Sequence, residues 1–337
     1  MSRFRGSAAL WALALCAGLW TIDARAQSVA DFYKGKSISF IIGTGEGGGY
    51  DLSSRLVAQH LGDFIPGHPR IVPRNMPGAG SIEAAEYAYS VAPRDGTTLV
   101  MVQPTFVLEK LTNPSRKYET GKFGYVGRVD QSILVGLVWH SSPAQSVEDL
   151  KRIPISVSAN GAAGTSATIP WALNRMIGTK MKVVLGYDSS AAMGLAMQRG
   201  ETDGDASTSW DYLETKHDWF DQKLINILYT ISLTRFSKIP NVPTVLELTD
   251  NPRDRNALKL IASTSTIGRA VMSTPDVPAD RLEALRRAFD QMVKDPQFLA
   301  DAATRQLGVD PMKGEDLQKI VVDVASQPHD VVDAMIA

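Results

Sequence analysis

Cysteine is almost missing: the chain of 337 residues carries one, Cys16. It lies in a leader segment described below, so the rest of the chain has neither a disulfide nor a thiol, and its stability has to come from core size. Histidine is sparse as well. The five, His60, His68, His140, His217 and His329, show no HExxH or paired spacing, so no metal site is expected. There is no GxSxG elbow, and Ser166 in Gly164-Thr165-Ser166-Ala167 has no nearby base that would mark a nucleophile. No long basic run occurs and the formal net charge is −1, which argues against a nucleic-acid partner. Outside the leader no stretch is apolar enough to span a bilayer, so the product is not expected to be embedded in a membrane.

What is present begins with that leader. Arg3 and Arg5 precede an apolar segment, residues 8–19, and Ala24-Arg25-Ala26 places small residues where cleavage needs them, so residues 1–26 read as a secretory signal peptide. Leu15 before Cys16 is not the small residue expected ahead of a lipidated cysteine. A free protein outside the cytoplasm, starting near Gln27, is the expectation, with a lipid anchor as the alternative. Removing Arg3, Arg5, Arg25 and Asp23 leaves a net charge of about −3 on about 310 residues, enough for two domains.

The most informative stretch is 37–54, SISFIIGTGEGGGYDLSS. An apolar run ends in a glycine-rich loop, 43–49, and a helical pattern follows with Leu52, Leu56, Val57, Leu61, Phe64 and Ile65 on one face. Such a strand, loop and helix either cradles an anion on bare helix-start amides or is simply a tight βα turn. The extra glycines break GxGxxG spacing, which argues against a dinucleotide. A second loop, Asn75-Met76-Pro77-Gly78-Ala79-Gly80-Ser81, stands between another short strand (70–73) and a helix (82–91). Right-handed crossovers place both loops at one carboxyl edge of a parallel sheet. A third strand, 98–102, ends at Gln103-Pro104-Thr105.

Two β-rich runs, 125–129 and 133–139, are interrupted by Asp130, Gln131 and Ser132, which suits a crossing between domains. Alternation then resumes: a short helix at 147–151, a strand at 155–158, a small-residue loop at 159–166, and a helix with Pro170 in its first turn. A strand at 182–185, a loop with Tyr187, a helix at 191–198 and strands at 204–209 and 224–231 follow. The last of these returns the chain to the first domain. The remainder reads as a polar strand-like stretch, 263–272, and three helices starting near 279, 296 and 315. The expected organisation is 27–131 and 232–337 in one domain and 132–231 in the other. Loops of Gly, Ala, Ser, Thr and Asn supply many neutral donors and few reactive groups, which suits reversible binding of a small polar ligand between domains.

With those residues in place, the chain resembles the Bug proteins, the periplasmic receptors of tripartite tricarboxylate transporters. The markers are Gly47-Gly48-Gly49-Tyr50-Asp51, Asn75-Met76-Pro77-Gly78-Ala79-Gly80, Ala92-Pro93-Arg94-Asp95-Gly96-Thr97-Thr98-Leu99, and Val242-Pro243-Thr244, in that order along essentially the whole mature chain. The resemblance implies an α/β, two-domain type II periplasmic binding protein fold, each domain a βα-alternating sheet flanked by helices, with a hinge crossed twice. It implies capture of a small organic acid without a cofactor or an arginine clamp, and delivery to membrane permease subunits. Its ligand-binding residues here would be Gly47, Gly48, Gly49, Tyr50, Asp51, Asn75, Gly78, Ala79, Gly80, Ser81, Gln103, Thr105, Gly164, Thr165, Ser166, Tyr187 and Ser207. Asp51 opens a helix and fits a first-turn role better than a ligand contact.

The chain departs from many members at Glu46, Thr168 and Ser207, where alanine, histidine and aspartate are usual. Glu46 either faces solvent or signals an amine, hydroxyl or larger neutral ligand end. Two other readings remain open: presentation of a ligand to a sensor domain, and a secreted hydrolase or isomerase using the same cleft.

Overall fold

A computed structural model describes residues 28–327. The leader expectation for residues 1–26 lies outside them. Eleven strands are described: β1 (Ser37–Ile42), β2 (Arg70–Asn75), β3 (Thr98–Met101), β4 (Gly124–Arg128), β5 (Leu134–Trp139), β6 (Ile155–Ala159), β7 (Met181–Leu185), β8 (Gly204–Ser209), β9 (Ile225–Ile231), β10 (Ala270–Ser273) and β11 (Met312–Lys313). They form two sheets, ordered β11-β4-β10-β3-β1-β2 and β7-β6-β8-β5-β9. In the first, β2, β1 and β3 run parallel and β10 runs antiparallel between β3 and β4. In the second, β7, β6 and β8 run parallel and β5 runs antiparallel between β8 and β9. Helices flank both, giving a two-domain α/β fold whose lobes are built on the same plan.

The parallel trio in each sheet decides where the site lies, because every βα loop then leaves from the strands' carboxyl ends. β1 carries Ile38, Phe40, Ile41 and Ile42 and sits between β2 and β3, while the helix Gly49–Phe64 buries Leu56, Val57, His60 and Leu61. It also packs against the helices Ala279–Met292 and Pro296–Thr304, which close the outer core of the first lobe over Phe289, Met292 and Phe298. The second lobe repeats this with the helices Thr165–Ile177 and Ser190–Gln198 on β6, β7 and β8.

Three local expectations need correction. The helix after β6 begins at Thr165, so Pro170 is in its second turn rather than its first. Gly164 sets the start instead: it is extended, and its carbonyl accepts from the amides of Ala167 and Thr168. The first half of the stretch 263–272 is helical. The helix Pro252–Ile267 is capped by the Asn251 side chain and has proline at its start, and only Ala270–Ser273 is strand. Ser263, Thr264 and Ser265 stay helical by turning their hydroxyls back onto the carbonyls of Leu260, Ile261 and Ala262. Finally, the helices Phe106–Thr112, Trp210–Glu214 and His217–Asp221 were not foreseen; all are short, and too few turns repeat to show a period.

Candidate functional site

The carboxyl ends of β1 and β3 face those of β6, β7 and β8 across the lobe boundary. The cavity between them is lined by Thr44, Gly48, Gly49, Tyr50 and Gln103 from one lobe, and by Leu134, Asn160, Thr165, Ser166, Ser189, Ser190, Met193, Ser207 and Ser209 from the other. No charged side chain is in that lining. Three helices begin there: Gly49–Phe64, Thr165–Ile177 and Ser190–Gln198. The first two have glycine caps, Gly48 and Gly164; the first-turn amides of the Gly49 helix are left for other partners, whereas at the second the Gln103 side chain takes Thr165 N and the Gly164 carbonyl takes Ala167 N. Helix starts favour negative charge.

The loops are held by their own polar contacts. The Asp51 carboxylate accepts from Gly47 N at 3.0 Å, Arg55 Nε at 2.9 Å and Asn75 Nδ2 at 2.8 Å, and Asn75 Nδ2 also donates to Thr44 O. Ser81 Oγ donates to Gly43 O at 2.8 Å and accepts from Gln103 N at 3.3 Å, which ties the first three loops together. In the second lobe, Ser166 Oγ donates to Asn160 Oδ1 and accepts from Asn160 N, closing the loop ahead of its helix. Among the buried hydroxyls that find no partner within the described residues, three, those of Thr44, Ser207 and Ser209, are on the cavity wall, and that of Thr105 is beside it. Such groups are costly to bury unmatched.

Of the residues expected from sequence, Gly48, Gly49, Tyr50, Gln103, Thr165, Ser166 and Ser207 line the cavity. Gly47, Asp51, Asn75 and Ser81 stand behind it as loop supports. Gly78, Ala79 and Gly80 form a turn pressed on the second lobe, where a Cβ on Gly80 would lie 2.1 Å from Gly164 N. Thr105 caps the next helix, and Tyr187 is half-buried outside the lining. Thr44, Leu134, Asn160, Ser189, Ser190, Met193 and Ser209 also line the cavity. Ser209 could have been anticipated from strand period, since it shares a face of β8 with Ser207; Leu134 and Met193 look like ordinary core positions in sequence. Glu46 faces solvent with its side chain 81% exposed, 3.6 Å from Arg55.

The two lobes touch closely around this cavity. Gly45 N donates to Asp188 O at 2.7 Å and Thr165 N to Gln103 Oε1 at 3.1 Å, both across the boundary. The space left inside is about 20 Å³, enough for roughly one water. Behind Gly49, outside the lining, the fully buried Arg269 has its Nη2 2.5 Å from Asp211 Oδ2 and its Nη1 3.4 Å from Asp130 Oδ2. Burial works against its charge, and the Asp211 and Asp130 carboxylates outweigh that and hold it above the ordinary guanidinium range. Burial in turn pushes the Asp130 carboxyl up to about 6 despite Arg269.

No protein-family model matches the chain. In sequence it is 24% identical over 330 residues to the "UPF0065 protein in gbd 5'region" of Cupriavidus necator, covering 93% of this chain and 94% of that one. Among solved structures it is similar to the periplasmic binding protein BugD, with a TM-score of 0.71 at 16% identity over 89% of this chain and 96% of the other. It is also similar to MatC from Rhodopseudomonas palustris with bound malate, with a TM-score of 0.69 at 16% identity over 88% and 99% of the two chains. The fold of this chain is that of the Bug-type periplasmic binding proteins, and the resemblance read from its loops extends along nearly its whole length.

Proposed function

We propose that this protein binds a small organic acid reversibly in the interlobe cavity, in the periplasm, and delivers it to the membrane subunits of a tripartite tricarboxylate-type transporter. The observation that carries the reading is the convergence of three helix starts, that of the Gly49 helix with no side chain on its first amides, on a cavity lined only by neutral groups. Amide donors and helix dipoles attract a carboxylate there without the desolvation cost of a buried countercharge on the wall. The unmatched hydroxyls of Thr44, Ser207 and Ser209 would then bond the ligand or its waters. MatC, of the same fold, holds malate. A wall of neutral hydroxyls and amides also offers no general base or activated nucleophile, which favours binding over turnover. Glu46, facing outward beside Arg55, does not oppose an anionic ligand.

The test is thermal unfolding of the chain from Gln27 against aliphatic and aromatic mono-, di- and tricarboxylates, with neutral and amino analogues. A ligand at a hundred times its dissociation constant should add about 2.7 kcal/mol of stability. A carboxylate that raises the midpoint and is recovered unchanged supports the proposal. Response only to amines or neutral compounds removes the organic-acid assignment, and consumption of the hit makes the protein an enzyme.

A further inference from the structure

Arg269 and Asp211 belong to different lobes. Arg269 follows Gly268 at the end of the helix Pro252–Ile267 and leads into β10. Its amide donates to Asp130 O and its carbonyl accepts from Val129 N, which fixes it to the end of β4 in the first lobe. Asp211 lies in the helix Trp210–Glu214, immediately after β8 of the second lobe. Their side chains, 1% and 7% exposed, meet at 2.5 Å just behind the cavity wall. The meeting point is tight, because a Cβ on Gly49 would lie 2.9 Å from Arg269 Nη2 and 2.5 Å from Ser209 Oγ. The guanidinium also stands 5.5 Å from the ring centre of Tyr50, a wall residue whose hydroxyl donates to Ser132 Oγ in the first interlobe crossing.

We propose that the Arg269–Asp211 ion pair is a latch that registers the two lobes in the closed position and so sets how long the cleft holds its ligand. Arg269 is a positioning residue here: it acts through Gly49 and Tyr50 and does not line the cavity. When the lobes part, both charged groups regain water. Closing strips that water away, and the attraction regained roughly offsets the loss, so the pair adds little net closing energy. What it adds is selectivity. Any closed register that fails to bring Asp211 onto Arg269 leaves a buried charge uncompensated, and is disfavoured for that reason. Asp130 differs because backbone bonds tie it to Arg269 within one lobe, so its contact persists in any lobe arrangement. Gln131 O, which accepts from Arg269 Nη1 at 3.1 Å, is likewise on the first-lobe side.

The latch rests on the proposed function only for the ligand-dependent half of its test. Exposed labelling sites are made by Arg287→Cys in the first lobe and Lys182→Cys in the second, in the chain from Gln27, which has no other cysteine. Spin-label separations are then measured with and without ligand. Asp211→Asn, which keeps the shape and removes the charge, should broaden the ligand-free separation toward longer distances and speed dissociation of a bound carboxylate by about tenfold or more. Arg269→Lys should do the same, because an ammonium cannot reach Asp211 and Asp130 together as the guanidinium fork does. It retains the buried positive charge, and so carries the test should Asp211→Asn fail to fold. Asp130→Asn should leave the separation as in the parent.

The latch is overturned if both cross-lobe variants keep the parent's separation, or if Asp130→Asn widens it as much as Asp211→Asn does. If the parent binds no carboxylate, the proposed function falls, and the ligand-free separations still decide the latch.

Discussion

Asp205 shows at the scale of one residue how burial sets chemistry. It is 1% exposed on β8, where its Oδ1 accepts from Ser207 N at 2.9 Å. Burial nevertheless raises its carboxyl to about 7. A carboxyl whose folded pKa stands above its unfolded value keeps a proton that the unfolded chain gives up. Its stabilisation is complete below the unfolded pKa, near 4, and is lost as pH rises through 7. Asp130, raised to about 6, acts in the same sense. These two carboxyls should therefore make the melting midpoint decline between about pH 4 and pH 7, and Asp205→Asn, which keeps an acceptor for Ser207 N, should flatten that decline. An unchanged slope in the variant would show that Asp205 is ionised throughout. The raised carboxyl could not be read from sequence, because nothing local to residues 204–209 says that both faces of that strand are covered. Glu46 was equally undecided until its neighbours were known: exposure beside Arg55 is a tertiary fact.

The first strand, loop and helix form the element on which the site is built, and their local chemistry was legible. Glycines mark the loop, apolar spacing marks the helix, and Asp51 fits a first-turn acid in the sequence as it does in the structure. What Asp51 does there was only half visible. Arg55, one turn on, is a sequence neighbour, whereas Asn75 comes from the end of β2. Asp51→Ala should unfasten Gly47 N, Arg55 and Asn75 together and cost about 1–3 kcal/mol of stability, with weaker ligand binding. Asp51→Asn should recover part of the loss. Chemical denaturation of both variants checks this, and equal midpoints for Asp51→Ala and the parent would deny the carboxylate its role. The helix Pro252–Ile267 shows the opposite case. Its Ser-Thr-Ser segment looks extended by propensity, but hydroxyls that bond back one turn and packing against other helices override that preference.

For the molecule as a whole, the arrangement of the lobes governs access. With about 20 Å³ inside and loop against loop around it, a ligand can enter only if the lobes part. A Cβ on Gly48 would lie 3.7 Å from that of Ser189, a spacing that a disulfide accepts, and the backbone of Gly48 is in an ordinary extended conformation. Gly48→Cys with Ser189→Cys should lock the cleft when oxidised, abolish carboxylate binding, and restore it on reduction. Binding that persists in the oxidised form would show that ligand reaches the site without opening. The sequence by itself determined the alternation of strands and helices, the glycine loops at the strand ends and the scarcity of cysteine and histidine, because these depend on period, turn geometry and residue type. Only the tertiary structure decided which loops face each other, that the cavity wall carries no charge, and that Arg269 meets Asp211 across the lobes. Those contacts join residues far apart in the chain, and the burial that gives them their energy comes from both lobes at once.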